Sequence, residues 1–181
     1  MKVAYSISAE DYLTFQLFSA SQSAEVKNRR SRSRYLFSLI NLAIGVYFIA
    51  DHNMLLGCTF LVFAVIWYFI TPAMQKNAYE KRYAEYIKKH FYNRFDKPAT
   101  LEIDDYTITS TDPVSTGKVG TDEIQAVYEI QQATYIKFRD GKSFILPKSR
   151  ITNYTEMTQQ LEILAESKGF VYRKNLDWKW K

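Results

Sequence analysis

The chain has 181 residues, enough for one ordinary domain and too few for two large ones. It is 47% hydrophobic and 24% charged with six Gly and four Pro, which excludes disordered and collagen-like classes. Its single Cys58 excludes an internal disulfide framework and a multi-cysteine zinc site. The net charge of +5 is unevenly spread: residues 1–34, 35–70, 71–98 and 99–181 carry +3, −1, +4 and −1. The basic excess thus flanks residues 35–70, and the C-terminal half is close to neutral. Nucleic-acid binding needs a basic face that neutralises several phosphates, so no nucleic acid is expected as a partner.

Residues 1–34 read as a strand-helix arm. Val3, Tyr5 and Ile7 alternate at strand period. Ser8, with Asp11 three residues later, forms a capping-box pattern, which predicts a helix through residues 11–26 that runs on into the next segment.

Two apolar segments follow. Tyr35–Ala50 has only Ser38 and Asn41 as clearly polar members, Met54–Ile70 has only Thr59, and Asp51-His52-Asn53 separates them. At 16 and 17 residues they lie at the short end of the roughly 17–25 that span a bilayer, and snorkelling by Arg34 extends the reach. Each is apolar on all faces, which argues against a buried helical hairpin in a soluble fold. A transmembrane hairpin, 35–50 and 54–70, is expected. Lys27, Arg29, Arg30, Arg32 and Arg34 precede it, Lys76, Lys81, Arg82, Lys88 and Lys89 follow it, and the connecting turn has neither Lys nor Arg. The positive-inside rule puts both termini in the cytoplasm. Tyr35, Trp67 and Tyr68 then fall at the inner interface, where amphipathic rings settle. The apolar run starts late, after a charged stretch, and no small-x-small cleavage site follows it, so an uncleaved anchor is expected.

Residues 71–97 read as a basic, aromatic helix. Pro72 suits a first turn or a kink, and Tyr79, Tyr83, Tyr86 and His90 recur at helical spacing. This face either packs on the soluble domain or touches anionic lipid. Residues 98–181 turn to short strands: 100–103, 106–110, 124–130, 134–138 and 143–146, with Asp140-Gly141 as a hairpin turn. A helix is predicted from an Asn153 cap, presenting Met157, Leu161, Leu164 and Ala165 on one face and stopping at Gly169. The tail Trp178-Lys179-Trp180-Lys181 has two readings: indoles and ammonium groups at an anionic interface, or Trp178 closing the domain core with the rest solvated.

The period pattern gives the α+β class. The order ISAEDYLTFQLF, a basic stretch, a two-helix hairpin, a strand-rich module with TDEIQAVYEI, then FILPKSRI and a terminal helix resembles the YcxB-like family of bacterial membrane proteins over nearly the whole chain. The chain departs from it at Thr121, where the family often has Trp. The resemblance implies a bacterial inner-membrane protein, multi-pass, whose cytoplasmic domain is an antiparallel sheet module similar to pleckstrin-homology (PH) domains and capped by a C-terminal helix.

Chemistry-bearing motifs are scarce. TGKVG at residues 116–120 fails the phosphate-loop pattern twice, at Asp112 and Val119. Asp51-His52 falls short of the three or four protein ligands of a zinc site, and Cys58 and His90 read as packing residues. No catalytic, cofactor-binding or metal residues and no small-molecule substrate are expected. The expectation is a non-catalytic, membrane-anchored interaction module whose partners are the bilayer and a protein or a second copy; the alternative is an oligomeric channel or transporter subunit. The residues expected to carry membrane contact are Lys27, Arg29, Arg30, Arg32, Arg34, Lys76, Lys81 and Arg82, with the aromatics Tyr35, Trp67, Tyr68, Trp178 and Trp180.

Overall fold

The computed structural model describes residues 1–91, 93, 95–112 and 116–180. In chain order the elements are β1 (Lys2–Tyr5), α1 (Ala9–Gln22), α2 (Ala24–Ala50), α3 (Met54–His90), β2 (Ala99–Ile103), β3 (Thr107–Thr111), β4 (Thr116–Gly120), β5 (Ile124–Ile130), β6 (Ala133–Phe138), β7 (Ser143–Pro147), α4 (Tyr154–Lys168) and β8 (Val171–Asn175). The protein is α+β and divides into two compact units. One comprises residues 1–15 and 86–179, the other residues 16–85 together with Trp180.

The first unit holds two four-stranded sheets, ordered β1-β2-β3-β4 and β7-β6-β5-β8. All pairings are antiparallel except β5 with β8. The N-terminal arm is a full member of the first sheet: Val3 lies opposite Leu101 and Tyr5 opposite Ala99, although some 90 residues separate the strands. The alternation puts Val3 and Tyr5 inward and Lys2 and Ala4 outward. The other edge of β1 is also occupied. Ala4 N–H donates to Thr152 Oγ1 (3.1 Å), Thr152 N–H to the Ala4 carbonyl (3.0 Å) and Ser6 N–H to the Arg150 carbonyl (3.3 Å). Residues 150–152 thus cover this edge of β1 at Ala4 and Ser6.

The core gathers Val3 and Tyr5 from the arm, Leu101, Ile103, Ile108, Ile124, Val127, Ile136, Phe138 and Leu146 from the sheets, and Met157, Leu161 and Leu164 from α4. Local chemistry sets the connections. Asp104 Oδ1 accepts from the N–H groups of Tyr106 and Thr107, closing the β2–β3 turn. Gly141 sits at φ +85° in the β6–β7 turn, a conformation that needs no Cβ. Thr121, fully buried, donates its hydroxyl to the Asp105 carbonyl and its N–H to the Tyr106 carbonyl, anchoring the step from β4 to β5.

Several expectations change. The Ser8–Asp11 box forms, with Ser8 N–H donating to Asp11 Oδ2 (2.9 Å) and Asp11 N–H to Ser8 Oγ (3.1 Å). The helix it starts does not run into the first apolar segment: α1 stops at Gln22, and Ser23, in extended conformation, begins a new helix by accepting from Val26 N–H. The apolar segment after Asn53 and the basic, aromatic segment after it are one helix, α3, which passes through Pro72 and ends at His90. Asn153 makes no side-chain cap; it takes the left-handed conformation (φ 54°), which Asn tolerates, and offers its carbonyl to Met157 N–H. β4 and β8 are strands that the sequence pattern did not mark.

Candidate functional site

α2 and α3 are long and apolar enough to cross a membrane, and they are not core helices. Only 6% of the most apolar window of α2 and 17% of that of α3 is buried. Leu39, Tyr47, Leu55 and Phe69 are among the many large apolar side chains that face outward. The helices meet along a seam of small residues. A Cβ on Gly57 would lie 2.5 Å from Ile49 Cγ1 and 3.0 Å from the Gly45 carbonyl, and one on Gly45 would lie 2.9 Å from Leu61 Cδ2. That close approach is the packing by which helices associate where lipid tails remove any hydrophobic advantage. Phe48 and Phe60 stack across the seam at 5.8 Å. The seam closes on a tight turn: Asn53 N–H donates to the Phe48 carbonyl (2.9 Å), and His52 takes a left-handed φ of 59°.

Of the polar side chains within the apolar segments, Ser38 borders an apolar groove and its hydroxyl is buried, and the other two bond to their own helices. Asn41 donates to the Phe37 carbonyl and Thr59 to the Leu55 carbonyl, each within its own helix. Cys58 is exposed rather than packed, and so is His90, whose ring leans on Tyr86 at 4.5 Å.

Beyond the apolar stretch, the basic residues and rings form a collar. Pro72 has no N–H, so the Tyr68 carbonyl four residues earlier loses its helical donor. Arg34 Nε supplies one at 3.1 Å, and its guanidinium lies over the Tyr68 ring at 3.7 Å. Tyr35 and Tyr68 lie beside each other at 5.9 Å, and Trp67 packs on Phe37 at 5.5 Å. The expected interfacial aromatics Tyr35, Trp67 and Tyr68 are therefore in one band. Arg32 borders an apolar groove lined by Leu36, Leu39, Leu61, Val65 and Phe69, of about 930 Å³.

One step further from the apolar stretch, Arg29, Arg30 and Arg82 converge with Ser33, Gln75 and Tyr79 on a hollow of about 210 Å³. Arg30 is held by three neighbours. Its Nε donates to Gln75 Oε1 (3.3 Å), and its guanidinium lies 4.6 Å from the Trp180 ring and 5.9 Å from that of Tyr79. Trp180 is buried, stands edge-on to Tyr79 at 5.8 Å and donates its indole N–H to the Lys76 carbonyl at 3.4 Å. The reading in which the tail beyond Trp178 is solvated is thus corrected: the second indole packs, because the half-buried Arg30 and Tyr79 offer its face and edge the partners they favour. Trp178 is half-buried, while Lys27 and Lys81 are exposed and outside the hollow.

The first unit contains a buried polar cluster that sequence spacing did not reveal. Glu129 on β5 accepts from Lys148 Nζ (3.0 Å), Tyr154 OH (3.2 Å) and Tyr172 OH (3.1 Å). Burial pushes its carboxyl up, but the hydrogen bonds of Lys148, Tyr172 and Tyr154 and the Lys148 charge outweigh this and hold it below the usual range. Both tyrosine hydroxyls are pushed well up by burial and by the neighbouring carboxylate. A carboxylate engaged by three donors is a clasp joining β5 to Lys148, α4 and β8.

No family model, no curated protein and no solved structure matches this chain.

Proposed function

We propose that the protein is a non-catalytic interaction module anchored in a bacterial inner membrane by the α2–α3 hairpin, with both termini and the sheet unit in the cytoplasm. The observation that carries this reading is the β1–β2 ladder. Residues 2–5 pair with residues 99–102, and the whole hairpin lies between them in the chain. Strands that pair must be on one side of a membrane, so the chain between them crosses an even number of times. Two apolar helices with outward-facing side chains meet that count. The charge pattern supplies the side: basic residues at the open end and none in the turn.

Seven antiparallel strands, β1 to β7, followed by α4 support a PH-like domain, and the YcxB-like resemblance belongs to the same proposal. In this reading the anchor is an insertion between the first and second strands, and β8 is an addition beyond the terminal helix. The domain then serves to hold a partner, a protein or a second copy, at the membrane surface. Cysteine labelling in intact cells tests the anchor. In a Cys58→Ala background, a cysteine replacing Asn53 should react with an impermeant thiol reagent, and one replacing Lys2 should react only after permeabilisation. The reverse pattern, or recovery of the chain in the soluble fraction without detergent, overturns the proposal.

A further inference from the structure

We propose that the hollow between α2 and α3 lined by Arg29, Arg30 and Arg82 is a binding site for a phosphate group, presented by an anionic phospholipid of the inner leaflet. The inference rests on the membrane anchoring proposed above and names a ligand for it.

Three features point to phosphate. First, three arginines, two from α2 and one from α3, line one cavity, and among the described residues no carboxylate lines it. Arg29 and Arg82 are in no ion pair among the described residues, whereas seven such pairs formed by other residues are present. Guanidinium forks match phosphate oxygens in pairs, which ammonium groups do not. Second, Arg30 is held in place before any ligand arrives, between the exposed Arg29 and Arg82. Gln75 reciprocates with Arg30, accepting from its Nε at 3.3 Å and donating Nε2 to its carbonyl at 3.4 Å, and the Trp180 ring backs the guanidinium. Ser33 and Gln75 add neutral polar groups to the wall. The 210 Å³ volume exceeds the roughly 10–15 Å³ that one water needs many-fold, room enough for a phosphate group.

Third, the α2 side of the hollow lies at a fitting depth on the anchoring proposed above. Arg29 to Ser33 precede Tyr35, where the apolar stretch begins, by two to six residues. At 1.5 Å per helical residue this is about 3–9 Å. The difference between a hydrocarbon core of about 30 Å and a full bilayer of about 40–45 Å leaves a head-group layer of roughly 5–8 Å on each side. On the anchoring proposed above, the α2 side of the cavity falls beside lipid phosphates and Arg82 reaches in from further out on α3, about 18 Å along the helix from Ile70; the same chemistry in free phosphate is the competing source.

The test uses the full chain in nanodiscs. Retention of phosphatidylglycerol against a phosphatidylcholine background is measured by native mass spectrometry for the wild type, for Arg29→Gln with Arg82→Gln, and for Lys27→Gln with Lys81→Gln. Both double variants lose the same charge from the same two helices, but only the first pair lines the hollow. The arginine pair should weaken retention at least about tenfold and the lysine pair less than about threefold. Equal losses, or no loss, overturn the site while leaving the anchor intact. Addition of millimolar inorganic phosphate should leave lipid retention unchanged; displacement of the lipid would assign the hollow to a soluble phosphate and overturn the lipid source. A chain that never enters nanodiscs refutes the anchor instead, so the two failures are distinguishable.

Discussion

In the unit formed by residues 1–15 and 86–179, large apolar side chains point inward: Leu101 and Leu161 are fully buried. In the hairpin the order is inverted, with Leu55 80% exposed and Phe69 70% exposed while Gly45, Gly57 and Ala64 fill the interior. Charge follows the same division. The ion pairs among the described residues, such as Lys2–Glu102, Lys148–Glu129 and Lys168–Asp122, lie in the first unit, and Arg30 and Arg34 of the hairpin meet rings, the Gln75 amide and a carbonyl instead. One unit obeys the rules of a core in water, where burying apolar area stabilises. The other obeys rules in which small residues bring helices together and large ones remain outside.

The largest test of this contrast sets two leucines against each other. Leu101→Ala should destabilise the sheet unit by about 2–5 kcal/mol, the cost of a cavity in a closed core. Leu55→Ala should leave the melting curve of the detergent-solubilised chain nearly unchanged, since its side chain packs on little within the protein. Thermal unfolding followed by circular dichroism compares them directly.

Overpacking the hairpin comes next. Gly57→Val places branched carbon where even a Cβ meets Ile49 at 2.5 Å, and such insertions cost about 1–3 kcal/mol. In a Cys58→Ala background, oxidative cross-linking of Phe48→Cys to Phe60→Cys should be efficient, and Gly57→Val should reduce its yield. Unchanged cross-linking would mean that the seam tolerates a wider spacing.

The clasp in the sheet unit gives a smaller, pH-dependent effect. The Glu129 carboxyl titrates below its unfolded value of roughly 4.3, so its stabilising contribution is complete above that pH and is lost as the pH falls through the folded value. Glu129→Gln should lower stability at pH 7 by about 1–3 kcal/mol by leaving Lys148 without its charge partner. The gap between variant and wild type should narrow below about pH 4. A gap that widens at low pH would contradict the assigned direction.

The smallest effect is expected at Lys2. Its bond to Glu102 is between two exposed side chains, and Lys2→Ala should change stability by less than about 0.5 kcal/mol. A larger loss would show that β1 depends on this pair more than on Val3 and Tyr5.

Several local signals were readable where a single turn of chain contained the whole interaction, although the Asn153 side-chain cap did not form and the Ser23 cap was not foreseen. The Ser8–Asp11 box, the Asp140-Gly141 turn and the Gly169 stop each join groups a few residues apart, and each forms. β4 escaped notice because TGKVG has two glycines and no apolar alternation, and it becomes a strand through its ladder with β3. VYRKN of β8 is likewise mostly exposed and is held by parallel pairing to β5. The collar was legible as composition, in basic residues flanking an apolar run. Its grouping was not: Arg29, Arg30 and Arg82 share a hollow while Lys27 and Lys81 do not, a matter of helix phase and crossing.

Residue order alone carried the apolar hairpin, its charge asymmetry and the α+β class, because periodicity and net charge are sums over neighbours in the chain. The pairing of β1 with β2, the hydrogen bond by which Arg34 replaces the donor missing at Pro72, and the burial of Trp180 required the folded chain. Each joins groups separated by some 30 to 105 residues, and over such distances the partner is selected by which backbone edge, orphan carbonyl or aromatic face remains unsatisfied once the local elements have formed.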